Sequence, residues 1–304
     1  MKYDVLKTID CKQGAVRAVR FNVDGAYCIT CGGDKKIKLW NPHTSLLLKT
    51  YGGHGSDVLD ACGSCDSSFI LSGGSDKTVI VWDVSTGQPI RRLRGHASRV
   101  TCVRYNEEST VAISGSHDNT VMCWDIKSRS NEPIQVLREA KDSITYMQVT
   151  NEEILTSSLD CNVRFYDIRK GQITEDFVGE PVTCVNFTRD GQCILASATD
   201  SVIRLFDKTS GELLNEYSGH KTDDFYIESG VNNTDSQVLS GSVDGCVWCW
   251  DLVQANVVAK LQHDPGRPIH SLSVHPTAPF LLSASGGSIK LWGTPSAENE
   301  EENA

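Results

Sequence analysis

The stretch GSHDNTVMCWD, residues 115–125, places Ser116, His117 and Asp118 a few positions ahead of Trp124. An acid, an imidazole and hydroxyls so close together could form an active site or could be one copy of a structural unit. The rest of the chain decides between the two. GGSDKTVIVWD at 73–83 and GSVDGCVWCWD at 241–251 repeat the pattern, and self-similarity at a fixed period is the mark of a repeat architecture. The aromatic that ends each copy falls at Trp40, Trp82, Trp124, Tyr166, Phe206, Trp250 and Trp292, at intervals of 42, 42, 42, 40, 44 and 42 residues. Six positions before it stands Asp34, Asp76, Asp118, Asp160, Asp200 or Asp244, and the seventh copy has Gly286 there.

Within a copy the pattern is β. RVTCVRY (99–105) alternates, TVAISGS (110–116) and TVMCWDI (120–126) are rich in β-branched and aromatic residues, and PIQVL (133–137) closes the unit. NEES at 106–109 and the Asp118–Asn119 pair supply turn chemistry between them. Each copy therefore predicts four short strands, over about 14–51, 56–94, 98–138, 142–178, 181–218, 224–261 and 268–292. The last unit lacks a fourth strand, whereas YDVLKTID (3–10) is a strand without a unit. Residues 4–10 are expected to pair with the strand around 288–292, which removes two sheet edges that would otherwise invite aggregation. Residues 294–304 read as an acidic, solvated tail.

A period near 42, four strands per unit and a terminal Trp-Asp resemble the WD-repeat β-propeller family, and the resemblance covers 3–293, nearly the whole chain. It implies an all-β, seven-bladed propeller whose sheets close radially around a channel, ringed shut by residues 4–10. It also implies a role for the Ser, His and Asp. In that family the tryptophan indole donates to the serine hydroxyl, the hydroxyl to the histidine ring, and the other ring nitrogen to the aspartate. Three copies match that relay: His54, Ser72, Asp76 and Trp82; His96, Ser114, Asp118 and Trp124; His220, Ser240, Asp244 and Trp250. A catalytic constellation occurs once per site, whereas this one recurs in equivalent positions, and no Gly-x-Ser-x-Gly elbow is present. Copies one, four, five and seven depart from the pattern at Lys12-Gln13, Glu139-Ala140 with Tyr166, Gly179-Glu180 with Phe206, and Gly286. Those blades are expected to be held by packing more than by the relay.

Other chemistry finds little support. The formal net charge is −10, and a binder of nucleic acid needs a basic face to displace counterions, so no direct RNA or DNA contact is expected. No apolar run reaches the roughly 20 residues of a membrane helix, and no secretory leader is evident, which points to an intracellular protein with reduced cysteines. Three Cys-x-x-Cys pairs, 28/31, 62/65 and 246/249, have zinc-like spacing, but two of them lie in strands where residues three apart face opposite ways. Neither a metal nor any other cofactor is expected. Phosphate-binding and metalloprotease motifs are absent as well, so the chain reads as a non-enzyme.

The loops carry a finer resemblance. GAVRAVRFNVDGAYCITCGGDKKIKLWNP (14–42), GHGSDVLDA (53–61), DKTSGELLNEYSGHK (207–221) and HPTAPFLLSASGGSIKLW (275–292) are similar to WD-repeat scaffolds that organise mitogen-activated protein kinase cascades. Residues 222–235, TDDFYIESGVNNTD, depart from that pattern. The resemblance implies a non-catalytic scaffold, a monomeric propeller inside larger complexes, that holds kinase-cascade components in the cytoplasm and joins pre-mRNA splicing complexes in the nucleus. The alternative is a peptide- or modification-reading propeller subunit of another multiprotein complex. In either case the loops between blades and the turns between second and third strands converge on one face. That register makes Arg17, Asp57, Asp60, Arg99, His117, Tyr146 and His270 the candidate partner-binding residues, exposed or at the mouth of the channel.

Overall fold

Each unit is built around one tight turn. The carboxylate of Asp34 accepts the N–H of Lys36 at 3.0 Å, and Asp76, Asp118, Asp160, Asp200 and Asp244 do the same for the residue two ahead at 2.9–3.2 Å. An aspartate that caps its own turn in this way reverses the chain. The residue after it takes a left-handed conformation: Lys35, Lys77, Asn119, Cys161 and Ser201 have φ of 62–67° and Gly245 has 78°. The recurring Asp is thus a requirement of the turn between the second and third strands. In the seventh unit Gly286, with φ 53°, makes a tighter hairpin without it, and Ser285 pairs directly with Ser288.

Around these turns the computed structural model, which describes residues 3–223 and 225–294, places seven four-stranded antiparallel sheets. Blades 1 to 6 span 16–52, 58–94, 100–137, 144–177, 182–217 and 229–262, each with its strands in sequence order. Blade 7 combines three strands at 269–293 with Asp4–Asp10, which lies antiparallel to Ser288–Gly293 with Asp4 opposite Gly293 and Asp10 opposite Ser288. The chain is an all-β, seven-bladed propeller closed by its N-terminal strand. Of the acidic tail, residues 295–304 lie outside the described residues.

Seven apolar clusters hold the ring, one at each junction between neighbouring sheets. Blades 1 and 2, for example, share Ile29, Ile37, Tyr51, Val58, Ile70, Ile80 and Trp82, and blades 7 and 1 share Ile9, Val19, Trp40, Phe280 and Leu291. Because both faces of every sheet are covered, second and third strands read as apolar runs, such as the fully buried Cys28–Gly32. Each tryptophan that ends a unit is nearly or fully buried, Trp82 and Trp250 at 0 % exposure. Such a ring is stiff, and its inner strands present their N-terminal ends around one opening.

Candidate functional site

Of the side-chain groupings in the fold, the Ser-His-Asp sets are the ones that resemble catalytic machinery. In blade 2 the Trp82 indole donates to Ser72 Oγ at 2.8 Å, Ser72 lies 2.8 Å from His54 Nε2, and His54 Nδ1 lies 3.0 Å from Asp76. Blade 3 repeats this with Trp124, Ser114, His96 and Asp118 at 2.9, 2.8 and 2.9 Å. Although burial opposes ionisation, hydrogen bonds from His54 and from His96 hold the Asp76 and Asp118 carboxyls well below the usual range. Both serines are wholly buried, and a hydroxyl that no substrate can touch is not a nucleophile. These networks tie a loop, a turn and two strands together.

The third set departs from expectation. Trp250 donates to the Ser218 carbonyl at 3.1 Å, Ser240 turns to the Gly241 carbonyl at 2.9 Å, and Asp244 accepts the indole N–H of Trp248 at 3.0 Å. His220 packs edge-on against Trp250 with ring centroids 5.3 Å apart, and neither ring nitrogen finds a partner among the described residues. In this blade the Asp244 carboxylate meets the Trp248 indole, and His220 does not reach it. Conversely, two blades expected to rely on packing build relays of their own. In blade 1, Gln13 replaces histidine, accepting from Thr30 Oγ1 at 2.5 Å while Trp40 donates to Thr30 at 2.9 Å and Gln13 Nε2 reaches Asp34 at 3.2 Å. In blade 7, Trp292 donates to Ser283 at 2.8 Å and Ser283 meets His263 at 2.7 Å. Blades 4 and 5 use ion pairs: Arg164 with Asp160 and Glu175 at 2.7 and 2.8 Å, Arg204 with Asp200 and Glu216 at 2.6 and 3.2 Å.

The second constellation is the mouth of the channel. Six of the seven innermost strands carry a register shift at the same place, which leaves Arg17, Leu59, Thr101, Thr145, Thr183 and His270 without a cross-strand partner. Bulges re-aim side chains, and these six line one opening together with Glu228, which precedes the short inner strand of blade 6. The opening is a cavity of about 460 Å³. All seven residues proposed from the sequence line it: Arg17, Asp57, Asp60, Arg99, His117, Tyr146 and His270.

They occupy two levels. At the rim, Arg17 pairs with Asp57 at 3.3 Å, and Arg99 donates to His117 Nε2 at 2.9 Å. Burial, and then the Arg99 charge, keep the His117 ring neutral to lower pH than usual, which suits it to accept that bond. His117 stacks on Tyr226 at 6.4 Å, and Phe225 packs on His270 at 5.5 Å. At the floor, Asp60 is buried at 2 % exposure, so it is not the exposed candidate the sequence suggested. It bridges Arg20 at 3.0 Å and Arg104 at 2.5 Å, while Glu228 takes Arg20 in a two-pronged contact at 2.5 and 2.8 Å. The Tyr146 ring lies 5.0 Å from the Arg104 guanidinium and 5.8 Å from that of Arg20. Burial works against both guanidinium charges, but Asp60 outweighs it at each, joined by Glu228 at Arg20, and both arginines stay ionised. Arg20, Arg104 and Tyr146 also line a cavity of about 700 Å³ on the other side, so this layer pinches the channel in two.

Sequence reasoning missed Arg20, Arg104, Glu228, Phe225 and Tyr226. The arginines were within reach, since VRAVRF and VTCVRY carry them at the same register. Among the described residues no group of three or more His, Cys, Asp or Glu could hold a metal. Cys28 and Cys31 enter two different cores, as do Cys246 and Cys249. No helix among the described residues is long and apolar enough to cross a membrane.

Comparison with known proteins agrees with this architecture. The model of the WD domain, G-beta repeat, matches residues 3–41, 45–83, 87–125, 171–207, 211–251 and 256–293. Blade 4, whose unit ends on Tyr166 and uses the Arg164 ion pairs, lies largely between two matches yet forms the same four-stranded sheet. The chain is 60 % identical over 295 residues to WD repeat domain-containing protein 83 of Rattus norvegicus, covering 97 % of this chain and 93 % of the relative. It is 58 % identical over 296 residues to the protein of the same name from Homo sapiens, covering 97 % and 94 %. A homolog of that protein in Dictyostelium discoideum is 32 % identical over 323 residues, covering 96 % and 98 %. With the repeat, the ring and the relatives in agreement, the chain belongs to the WD-repeat family of β-propellers, whose members are generally non-catalytic interaction scaffolds.

Proposed function

We propose that this protein is a scaffold that assembles components of the mitogen-activated protein kinase cascade in the cytoplasm and also associates with pre-mRNA splicing complexes in the nucleus. The loop resemblance over 14–42, 53–61, 207–221 and 275–292 supports the choice of partners. The carrying observation for a binding role is the channel mouth, where charged, imidazole and aromatic side chains from several blades surround one cavity of about 460 Å³ on a rigid ring. Arginine and tyrosine are enriched among the residues that dominate interface energy, and Arg17, Arg99 and Tyr226 stand at this rim.

The test is a quantitative pull-down from separate cytoplasmic and nuclear extracts, wild type beside Asp57→Lys/Arg99→Glu. Both side chains are at the surface, where single ion pairs contribute about 0–1 kcal/mol, so melting should not change. The expected result is capture of kinase-cascade and splicing components by wild type and at least a tenfold loss by the variant. Equal capture by both proteins would move the site off this face. No specific capture by either would sink the scaffold reading.

A further inference from the structure

Each inner strand ends on a residue that sits opposite the partner of the unit's terminal aromatic. In blade 2 that residue is Gly63; the other six blades have Phe21, Tyr105, Val149, Phe187, Val231 or Val274. Those six side chains pack into the core shared with the preceding blade: Phe21 into the cluster of blades 7 and 1, Tyr105 into that of blades 2 and 3, and so on around the ring. At this position alone blade 2 sends no side chain into its junction with blade 1. A Cβ at Gly63 would meet only Ile29 Cδ1, at 3.8 Å.

What remains is an apolar cleft of about 310 Å³, lined by Ile29, Leu39, Leu48, Phe69, Ile70 and Val84. It is open to solvent, since Leu48 is 43 % exposed and Tyr27, at its lip, 39 %. Acidic side chains stand in the turns that form its lip. Asn22 and Ser67, bonded across the junction at 3.1 Å, line the cleft and belong to turns that carry Asp24 and Asp66. Asp24 accepts the Ala26 N–H, and Asp66 accepts Ser64 Oγ and the Ser68 N–H. Among the described residues neither has a lysine or arginine partner. Lys49, on the neighbouring strand, spends its ammonium on the carbonyls of Val84 and Ser85.

From these features we infer that the cleft between blades 1 and 2 is a second docking site, which takes one large apolar side chain of an extended partner segment flanked by basic residues. The apolar pocket selects the anchor, and the two aspartates select the charge beside it. It lies at the first-to-second-strand turns, away from the channel mouth, so a partner here and a partner there can bind together.

The experiment follows methyl resonances of the full chain by NMR during titration with the peptide Ser-Lys-Phe-Arg-Ser, capped at both ends. The methyls of Ile29, Leu48 and Val84 should shift and saturate. A Phe-to-Ala peptide, or one with both basic residues changed to Glu, should bind at least tenfold more weakly. Gly63→Phe fills the cleft from within: it should abolish binding and raise Tm by about 2 °C, because cavity filling at an unstrained position stabilises. Leu48→Asp, at the exposed lip, should lose binding without changing Tm, whereas Asp57→Lys/Arg99→Glu should bind as wild type does. No saturable binding up to millimolar peptide, binding that survives Leu48→Asp, or a Gly63→Phe protein that melts lower would each overturn the proposal.

Discussion

His96 and His220 stand at the same place in their blades and contribute in opposite ways. His96 joins Ser114 to Asp118, so His96→Leu should strand two buried polar groups and cost about 2–3 kcal/mol. His220 bonds to neither, so His220→Leu should change stability by less than about 1 kcal/mol at pH 7. Paired denaturant melts of the two variants check this contrast, and equal losses would mean that His220 has an unrecognised partner. Burial also pushes His220, His263 and His275 down to about 4. An unfolded histidine takes its proton near 6.5, so each of these favours unfolding as pH falls from 6.5 towards 4, by an amount on the order of 3 kcal/mol. Stability should be intact above about pH 7 and decline through that window, with a shallower decline in His220→Leu; parallel curves would refute the assignment. Asp76 and Asp118 act lower on the scale. Their depressed values contribute stability above about pH 4, which is lost only as they protonate in stronger acid. The relays of blades 2 and 3 were legible because the chemistry and the register agreed. Blade 6 was not, because an aspartate kept for its turn says nothing about which indole will reach it first.

Among the elements, the strand Asp4–Asp10 has the largest consequence for its length. It covers the edge of Ser288–Gly293 and buries Ile9 at 4 % exposure. Removing residues 1–10 should lower Tm by roughly 5–10 °C and make the protein associate as concentration rises, since a bare strand edge pairs with its like. An unchanged Tm would refute the closure. This strand could be read from the sequence by counting, because one unit lacked a strand and one strand lacked a unit. The bulges of the inner strands could not. Alternation within RVTCVRY looks the same with or without an extra residue, and only the pairing of Val100 with Ser116 and Cys102 with Gly115 reveals that Thr101 is turned into the mouth. The inner strand of blade 6 is shorter still, Ser229–Val231, and the irregular segment ahead of it hid Phe225, Tyr226 and Glu228.

At the scale of the molecule, seven candidate residues scattered from Arg17 to His270 in sequence meet at one opening because a ring brings every inner strand to the same axis. Symmetry of the repeat made that convergence legible; the depth of each residue, which buries Asp60 and leaves Arg99 outside, came only with the packing. The chain as a whole bears a formal charge of −10, and the arginines of its channel floor are already neutralised by Asp60 and Glu228. RNA titrated against the protein at about 150 mM salt should therefore show no affinity tighter than the non-specific range of about 10⁻⁴–10⁻⁶ M, and a tight complex that weakens steeply with salt would contradict the charge argument. The closed ring also shapes how the molecule is born. Asp4 and Gly293 pair in the same sheet, and at roughly 5–20 residues per second a ribosome needs on the order of a quarter of a minute to a minute to make the chain between them. Throughout that interval the nascent protein is an open arc whose first strand waits without a sheet, and the last blade assembles from both ends of the message at once.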